Sequence, residues 1–218
     1  MKDITILENF INDEELEEAR QFIGEQSLNF YDEKNTVLHR EWYFNSSDNC
    51  YKKCILDSNG AYFKIQQWGM EYIIPSAKNF ILKIKDRIEN CMNTKFELQR
   101  VYLNRQVHGQ DVTLHIDDNN HNAYTLLIYI GDITPENYDK VGGDLELKTI
   151  EIIRIEPFTK RAVLFKGYIP HQAYAPLVPE ITRISIAFKL VDTSNEIPFD
   201  IKYTDEHFDQ MILGIDYT

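Results

Sequence analysis

Between Phe96 and Leu190 the chain divides into eight short segments rich in β-branched and aromatic residues: 96–103, 111–117, 123–130, 143–147, 150–155, 161–165, 170–175 and 181–190. Turn-forming clusters such as Asp118-Asn119-Asn120 and Gly142-Gly143-Asp144 separate several of them. Strand-length segments at this spacing predict an antiparallel sandwich or barrel of the jelly-roll type. Ahead of them the period changes. Ile4 to Leu7 reads as a short strand, and Asn12 with Glu15 three residues later forms a capping-box pattern. Leu16, Ala19, Phe22 and Ile23 then follow at helical spacing, which predicts a helix over 13–24. Pro75-Ser76 opens a second helix with Phe80, Ile81, Ile84 and Ile88 on one face, ending near Asn90 to Asn93. A third helix is expected at 62–73.

A chain of 218 residues with 43% hydrophobic and 12% aromatic content can bury one sizeable core. The expected organisation is a single domain over 1–218. Residues 1–95 supply helical support and substrate-side segments, 96–190 the mainly β core, and 191–218 a tail with an apolar patch at Phe208, Met211, Ile212 and Leu213. The net charge is 23 − 35 = −12. Such a surface repels polyphosphate and anionic lipid, so nucleic-acid and membrane partners are disfavoured. No apolar run approaches the roughly 20 residues that cross a bilayer. The opening MKDITILENF lacks the basic and apolar regions of a secretory signal. Three cysteines, Cys50, Cys54 and Cys91, are too few and too odd for a disulfide framework. Together these features lead to the expectation of a cytoplasmic protein.

The informative stretch is Val112-Thr113-Leu114-His115-Ile116-Asp117-Asp118. On a strand, His115 and Asp117 share a face while Leu114 and Ile116 turn the other way into apolar packing. An imidazole and a carboxylate so placed can occupy two adjacent corners of a metal. A second histidine completes the 2-His-1-carboxylate triad of non-haem Fe(II) oxygenases. His39, His108, His121, His171 and His207 are available. His171 is best placed, at the start of a strand after Ile169-Pro170 and 54 residues beyond Asp117. Twelve residues further on, Arg183, Ser185 and Ala187 share one strand face. A guanidinium among apolar neighbours needs an anionic partner, and a ligand carboxylate gripped by two parallel N–H···O bonds would supply it. Tyr129, a polar tip on the apolar strand Leu126 to Ile130, could bond the same carboxylate, and Ser185 could add a hydroxyl.

This ordered set resembles the 2-oxoglutarate-dependent Fe(II) oxygenases, and within them the prolyl 4-hydroxylase-like branch. It is carried by Asn104 to Gln110 leading to His115-Ile116-Asp117, by Thr125 to Ile130, Gly142 to Leu145 and Arg161 to Phe165, and by Ile169-Pro170-His171 and Arg183-Ile184-Ser185. The resemblance implies a double-stranded β-helix (jelly-roll, cupin-like) core packed against N-terminal helices. It implies Fe(II) on His115, Asp117 and His171, with the distal carboxylate of 2-oxoglutarate on Arg183 and Tyr129 and with Ser185 as a lesser contact. O₂ is the co-reactant and ascorbate a further candidate. The implied activity converts 2-oxoglutarate and O₂ to succinate and CO₂ while hydroxylating a C–H bond, first of all in a peptidyl proline. The implied partner is a proline-containing protein or peptide, or a small molecule. Three positions depart from the branch: Arg183 replaces the lysine of many prolyl hydroxylases, and Gln106 and Val112 stand where tyrosines flank the family glycine.

Blander roles compete for several residues. An isolated His-x-Asp is more often a surface or structural pair, and Tyr129 would serve equally as a satisfied core tyrosine. Ser185 reads as a small strand residue, His108 and His121 as loop histidines, and Gly142 and Gly143 as turn glycines between strands. His39, Arg40, Trp42 and Tyr43 read as packing against the core helices. Two other functions fit less of the pattern: nucleic-acid demethylation or base hydroxylation within the same oxygenase class, and a non-catalytic ligand-binding jelly roll.

Overall fold

The computed structural model describes residues 2–26, 42–45, 50–53 and 77–194. In chain order they form β1 (Ile4–Leu7), α1 (Asp13–Gln26), β2 (Trp42–Asn45), β3 (Cys50–Lys53), α2 (Ala77–Met92), β4 (Phe96–Gln106), β5 (Ala123–Tyr129), α3 (Tyr138–Val141), β6 (Leu145–Lys148), β7 (Ile152–Ile155), β8 (Ala162–Lys166), β9 (His171–Ala173) and β10 (Arg183–Asp192). The helix expected at 62–73, together with His39, Arg40, His207, Cys54 and the apolar patch at 208–213, lies outside the described residues. Among the described residues no helix is long and apolar enough to cross a membrane.

The capping box at the start of α1 is present. Asn12 N–H donates to Glu15 Oε2 at 3.0 Å, and Glu15 N–H donates to Asn12 Oδ1 at 2.8 Å. A cap of this kind stabilises a helix by about 1 kcal/mol. Glu15 also accepts from Arg87 of α2 at 2.5 and 2.8 Å, so one carboxylate both starts α1 and clamps it to α2. The Arg87 guanidinium holds the Glu15 carboxyl down at about 2, against the opposing effect of burial. At the far end of α2, Asn93 takes the left-handed φ of 49° that ends many helices. Glu89 then accepts the Phe96 N–H at 2.9 Å, fixing the entry into β4.

Five strands form one antiparallel sheet in the order β1-β8-β5-β10-β4, three form a second in the order β7-β6-β9, and β2 pairs with β3. Side-chain alternation divides the large sheet between two cores. On one face Val101, Leu103, Leu126, Ile128, Leu164, Ile186 and Phe188 pack against Leu16 of α1 and Phe80, Ile81, Ile84 and Ile88 of α2. On the other, Tyr102, Leu127, Tyr129, Val163, Phe165 and Ala187 meet Leu145, Leu147 and Ile155 of the small sheet. Each such buried side chain contributes about 1.5–3 kcal/mol of transfer free energy. The helices seal one face, so the space between the sheets is the place left for a ligand.

Two local expectations need correction. Residues 111–117 do not form a strand: Val112 N–H donates to Ala173 O, His115 and His171 exchange both backbone bonds, and Asp117 N–H donates to Gly167 O. The chain turns at 167–169 and Pro170 has no N–H, so pairing reduces to the single bridge at His115 and then slips. Leu114 and Ile116 are accordingly half-buried and belong to neither core. Gly142 and Gly143 do lie between strands, β5 and β6, but not in a direct strand-to-strand turn. They follow the one-turn helix α3, which the sequence reading missed, and Gly142 bridges to Pro176. Their φ values of 59° and 96° explain why glycine stands at both positions.

Candidate metal centre

The bridge between His115 and His171 places the two imidazoles side by side, with ring centroids 4.3 Å apart. The turn after His115 brings Asp117 to the same point. His115 Nε2 lies 3.7 Å from Asp117 Oδ1, and His171 Nε2 lies 3.4 Å from Asp117 Oδ2. One ligand atom from each of the three falls within 4.8 Å of the others. Convergence thus comes from one ladder bridge and one turn, not from a shared strand face.

The backbone also sets the state of both rings. His115 Nδ1 is 2.8 Å from Thr113 O, and His171 Nδ1 is 2.8 Å from Ile169 O. A carbonyl oxygen only accepts, so each Nδ1 carries a hydrogen and each Nε2 is turned to the cluster. Metal-binding histidines are oriented in this way. Burial, then the neighbouring His171, pushes His115 down to about 4, which keeps it neutral and able to ligate near pH 7. Burial pushes the Asp117 carboxyl up, but Lys189 and His171 outweigh it and hold the group well below the usual carboxylate range. Two imidazole nitrogens and one ionised oxygen suit a divalent first-row metal.

The cluster opens on a cavity of about 390 Å³ between the sheets, whose lining includes Gln106, His115, Asp117, His171, Arg183 and Ser185. Arg183 is 2% exposed. Its Nε–H donates to Gly143 O at 2.9 Å, its Nη1 donates to Gln106 Oε1 at 2.5 Å, and its Nη2 approaches Tyr129 Oη at 3.3 Å. Gln106 is its register partner across the β4/β10 ladder. None of these partners is charged, and Arg183 has no ion pair among the described residues. Three of its five N–H groups are engaged, which leaves one on each terminal nitrogen, the fork a carboxylate takes. Tyr129 is fully buried against this guanidinium, and burial raises its phenol pKa.

The expected anionic partner of Arg183 is therefore not supplied by the described protein. Ser185 Oγ and Asn104 Oδ1 are buried without a hydrogen-bond partner, and both residues line the same cavity. A buried cation lacking an anion, beside an orphaned hydroxyl, fits a bound dicarboxylate. His108 instead reaches Pro176 O at 2.9 Å, and the His121 ring packs on Tyr168 at 5.1 Å, so neither joins the cluster. Sequence reasoning missed Gln106 as the clamp on Arg183, and it missed Lys189 and Thr125 beside Asp117. Strand alternation could have found Lys189, since it continues the face of Arg183, Ser185 and Ala187.

No family model matches the sequence, and no curated protein does. Solved structures do match. One is a prolyl hydroxylase from Trichoplax adhaerens in complex with a hypoxia inducible factor oxygen degradation domain peptide fragment. It is 18% identical, with a TM-score of 0.60 over 87% of this chain and 84% of that one. A prolyl-4-hydroxylase from Pseudomonas putida is 12% identical, with a TM-score of 0.56 over 87% and 92%. EctD from S. alaskensis, solved with 2-oxoglutarate and 5-hydroxyectoine, is 12% identical, with a TM-score of 0.59 over 91% and 76%. The chain has the double-stranded β-helix fold of the 2-oxoglutarate/Fe(II) oxygenases.

Proposed function

We propose that this protein is an Fe(II)- and 2-oxoglutarate-dependent dioxygenase that hydroxylates a C–H bond. The observation that carries this reading is the pairing, in one cavity, of the His115/Asp117/His171 cluster with a buried Arg183 fork that meets no carboxylate among the described residues. His115, Asp117 and His171 hold the metal, each through an atom already oriented by the backbone or by Lys189 and Thr125. Arg183 grips the distal carboxylate of 2-oxoglutarate, with Tyr129 beside it and Ser185 donating its free hydroxyl. When bound, Fe(II) with 2-oxoglutarate and O₂ supplies the oxidative decarboxylation that yields succinate and CO₂ and drives the hydroxylation.

The substrate to test first is a proline-containing peptide. Supporting it are the order of motifs and the two similar structures whose names are prolyl hydroxylases. Gln106 and Val112 both line the cavity, so its wall differs from that of the branch where tyrosines are usual. A nucleic-acid substrate would need cations free to meet phosphates. Of the three lining the cavity, Lys189 is engaged with Asp117, Arg183 with uncharged protein groups, and Arg100 lies over the Tyr102 ring at 4.6 Å.

The test is reconstitution with Fe(II) under anaerobic conditions, then exposure to O₂, 2-oxoglutarate and a proline-rich peptide panel. Succinate formation and a one-oxygen mass gain on a peptide are expected. Turnover that persists after rigorous removal of metal would overturn the assignment.

A further inference from the structure

Lys189 brings a positive charge against the metal cluster at Asp117, a charge for which the proposed reaction has no use. Its side chain is only 12% exposed, on the cavity face of β10. Its ammonium forms an ion pair with Asp117 Oδ2 and donates to Thr125 Oγ1 at 2.9 Å, while that hydroxyl donates to the same Oδ2 at 2.6 Å. The Tyr102 ring lies 5.6 Å from the ammonium, and Arg100 stands opposite Lys189 across the β4/β10 ladder, lining the same cavity. A charged lysine is a costly way to orient a carboxylate, because Thr125 already supplies a neutral donor to the same oxygen. What lysine adds beyond threonine is a positive charge within a few ångströms of the point where His115, Asp117 and His171 converge.

Resting on the reading above, we propose that Lys189 is a positioning residue that opposes the metal at Asp117 and thereby makes tight metal retention depend on the dianionic cosubstrate. A metal dication entering beside a fixed ammonium meets repulsion at a distance where Coulomb's law is strong even at an effective dielectric near 20. 2-Oxoglutarate brings two negative charges into the same cavity and relieves that repulsion. Metal and cosubstrate therefore bind with positive coupling, and part of the coupling is supplied by Lys189.

The experiment measures Mn(II) binding by calorimetry and by loss of the free-ion EPR signal, with and without 2-oxoglutarate. Wild type is compared with Lys189→Gln, which keeps a donor but removes the charge, with Lys189→Arg, which keeps the charge, and with Thr125→Val. Without cosubstrate, Lys189→Gln binds Mn(II) at least about tenfold more tightly than wild type. Lys189→Arg stays within about threefold, and Thr125→Val binds about tenfold more weakly. The gain in Mn(II) affinity on adding 2-oxoglutarate is smaller in Lys189→Gln than in wild type. Circular dichroism and thermal melts of the Mn(II)-loaded variants establish that each is folded. Equal or weaker Mn(II) binding by folded Lys189→Gln overturns the proposal, and so does a Lys189→Arg variant that behaves like Lys189→Gln. If 2-oxoglutarate fails to bind wild type at all, the oxygenase reading falls, while the cosubstrate-free comparison still decides whether the Lys189 charge opposes the metal.

Discussion

Ser185 and Asn104 stand directly opposite each other across the β4/β10 ladder, and the side-chain oxygen of each is buried without a partner. They sit one alternation in from the Arg183–Gln106 pair, on the same cavity wall. An orphaned buried polar atom costs about 1–3 kcal/mol, so this wall is built for something that will bond it.

Removing the Arg183 fork should therefore cost cosubstrate binding and little else. Arg183→Leu is expected to weaken 2-oxoglutarate binding by about a hundredfold while leaving Mn(II) affinity within a few-fold. Ser185→Ala should cost about three- to tenfold. Isothermal titration of Mn(II)-loaded protein with 2-oxoglutarate measures both.

Gln106 offers a sharper version of that test. Gln106→Glu would place a carboxylate against the guanidinium that Gln106 Oε1 now meets at 2.5 Å. The fold should tolerate the near-isosteric change, but the fork is then neutralised from within. The expected result is a rise of at least about tenfold in the KM for 2-oxoglutarate with an unchanged or raised melting temperature.

The metal ligands allow no such gradation. His115→Ala, Asp117→Ala and His171→Ala should each abolish succinate formation. His115 and Asp117 lie apart from the two hydrophobic cores, while the His171 ring packs edge-on against Phe165 at 4.8 Å, so His171→Ala is also expected to lower the melting temperature. A circular dichroism spectrum matching wild type alongside lost turnover is the expected pattern.

Acid stability follows from the helical layer. The carboxyls of Glu15 and Glu89 are held down at about 2, below the 4.5 of an unstrained glutamate. A lowered carboxylate pKa gives stability that is present above the unfolded value and lost as pH falls through the folded one. Denaturant midpoints should thus decline steadily between about pH 4.5 and pH 2. In Glu15→Gln the decline should be shallower, and the starting stability at pH 7 lower. A slope unchanged by the substitution would mean the Arg87 contact carries no linkage.

What the sequence made legible was whatever depends on period and order. The capping box at Asn12 and Glu15, the apolar face of α2 and the shared strand face of Arg183, Ser185 and Ala187 are local patterns, and the structure places them as read. The 111–117 segment misled because its strand-like composition says nothing of its partner, and β9 with its preceding Pro170 offers only one bridge. His115 and Asp117 still meet, through a turn that no alternation rule describes. While Lys189 stands on a strand face that alternation does give, Gln106 and Thr125 were invisible for another reason. Their importance lies in cross-strand register and side-chain reach, and one sequence fixes neither.

The most direct test of the central claim is an anaerobic titration of the Fe(II)-loaded protein with 2-oxoglutarate, followed by visible absorbance. Chelation of the iron by the cosubstrate predicts a weak charge-transfer band that saturates at one equivalent, is absent in His171→Ala, and requires far more 2-oxoglutarate in Arg183→Leu. A wild-type protein that binds neither Fe(II) nor 2-oxoglutarate, or a band of equal strength in His171→Ala, would contradict it.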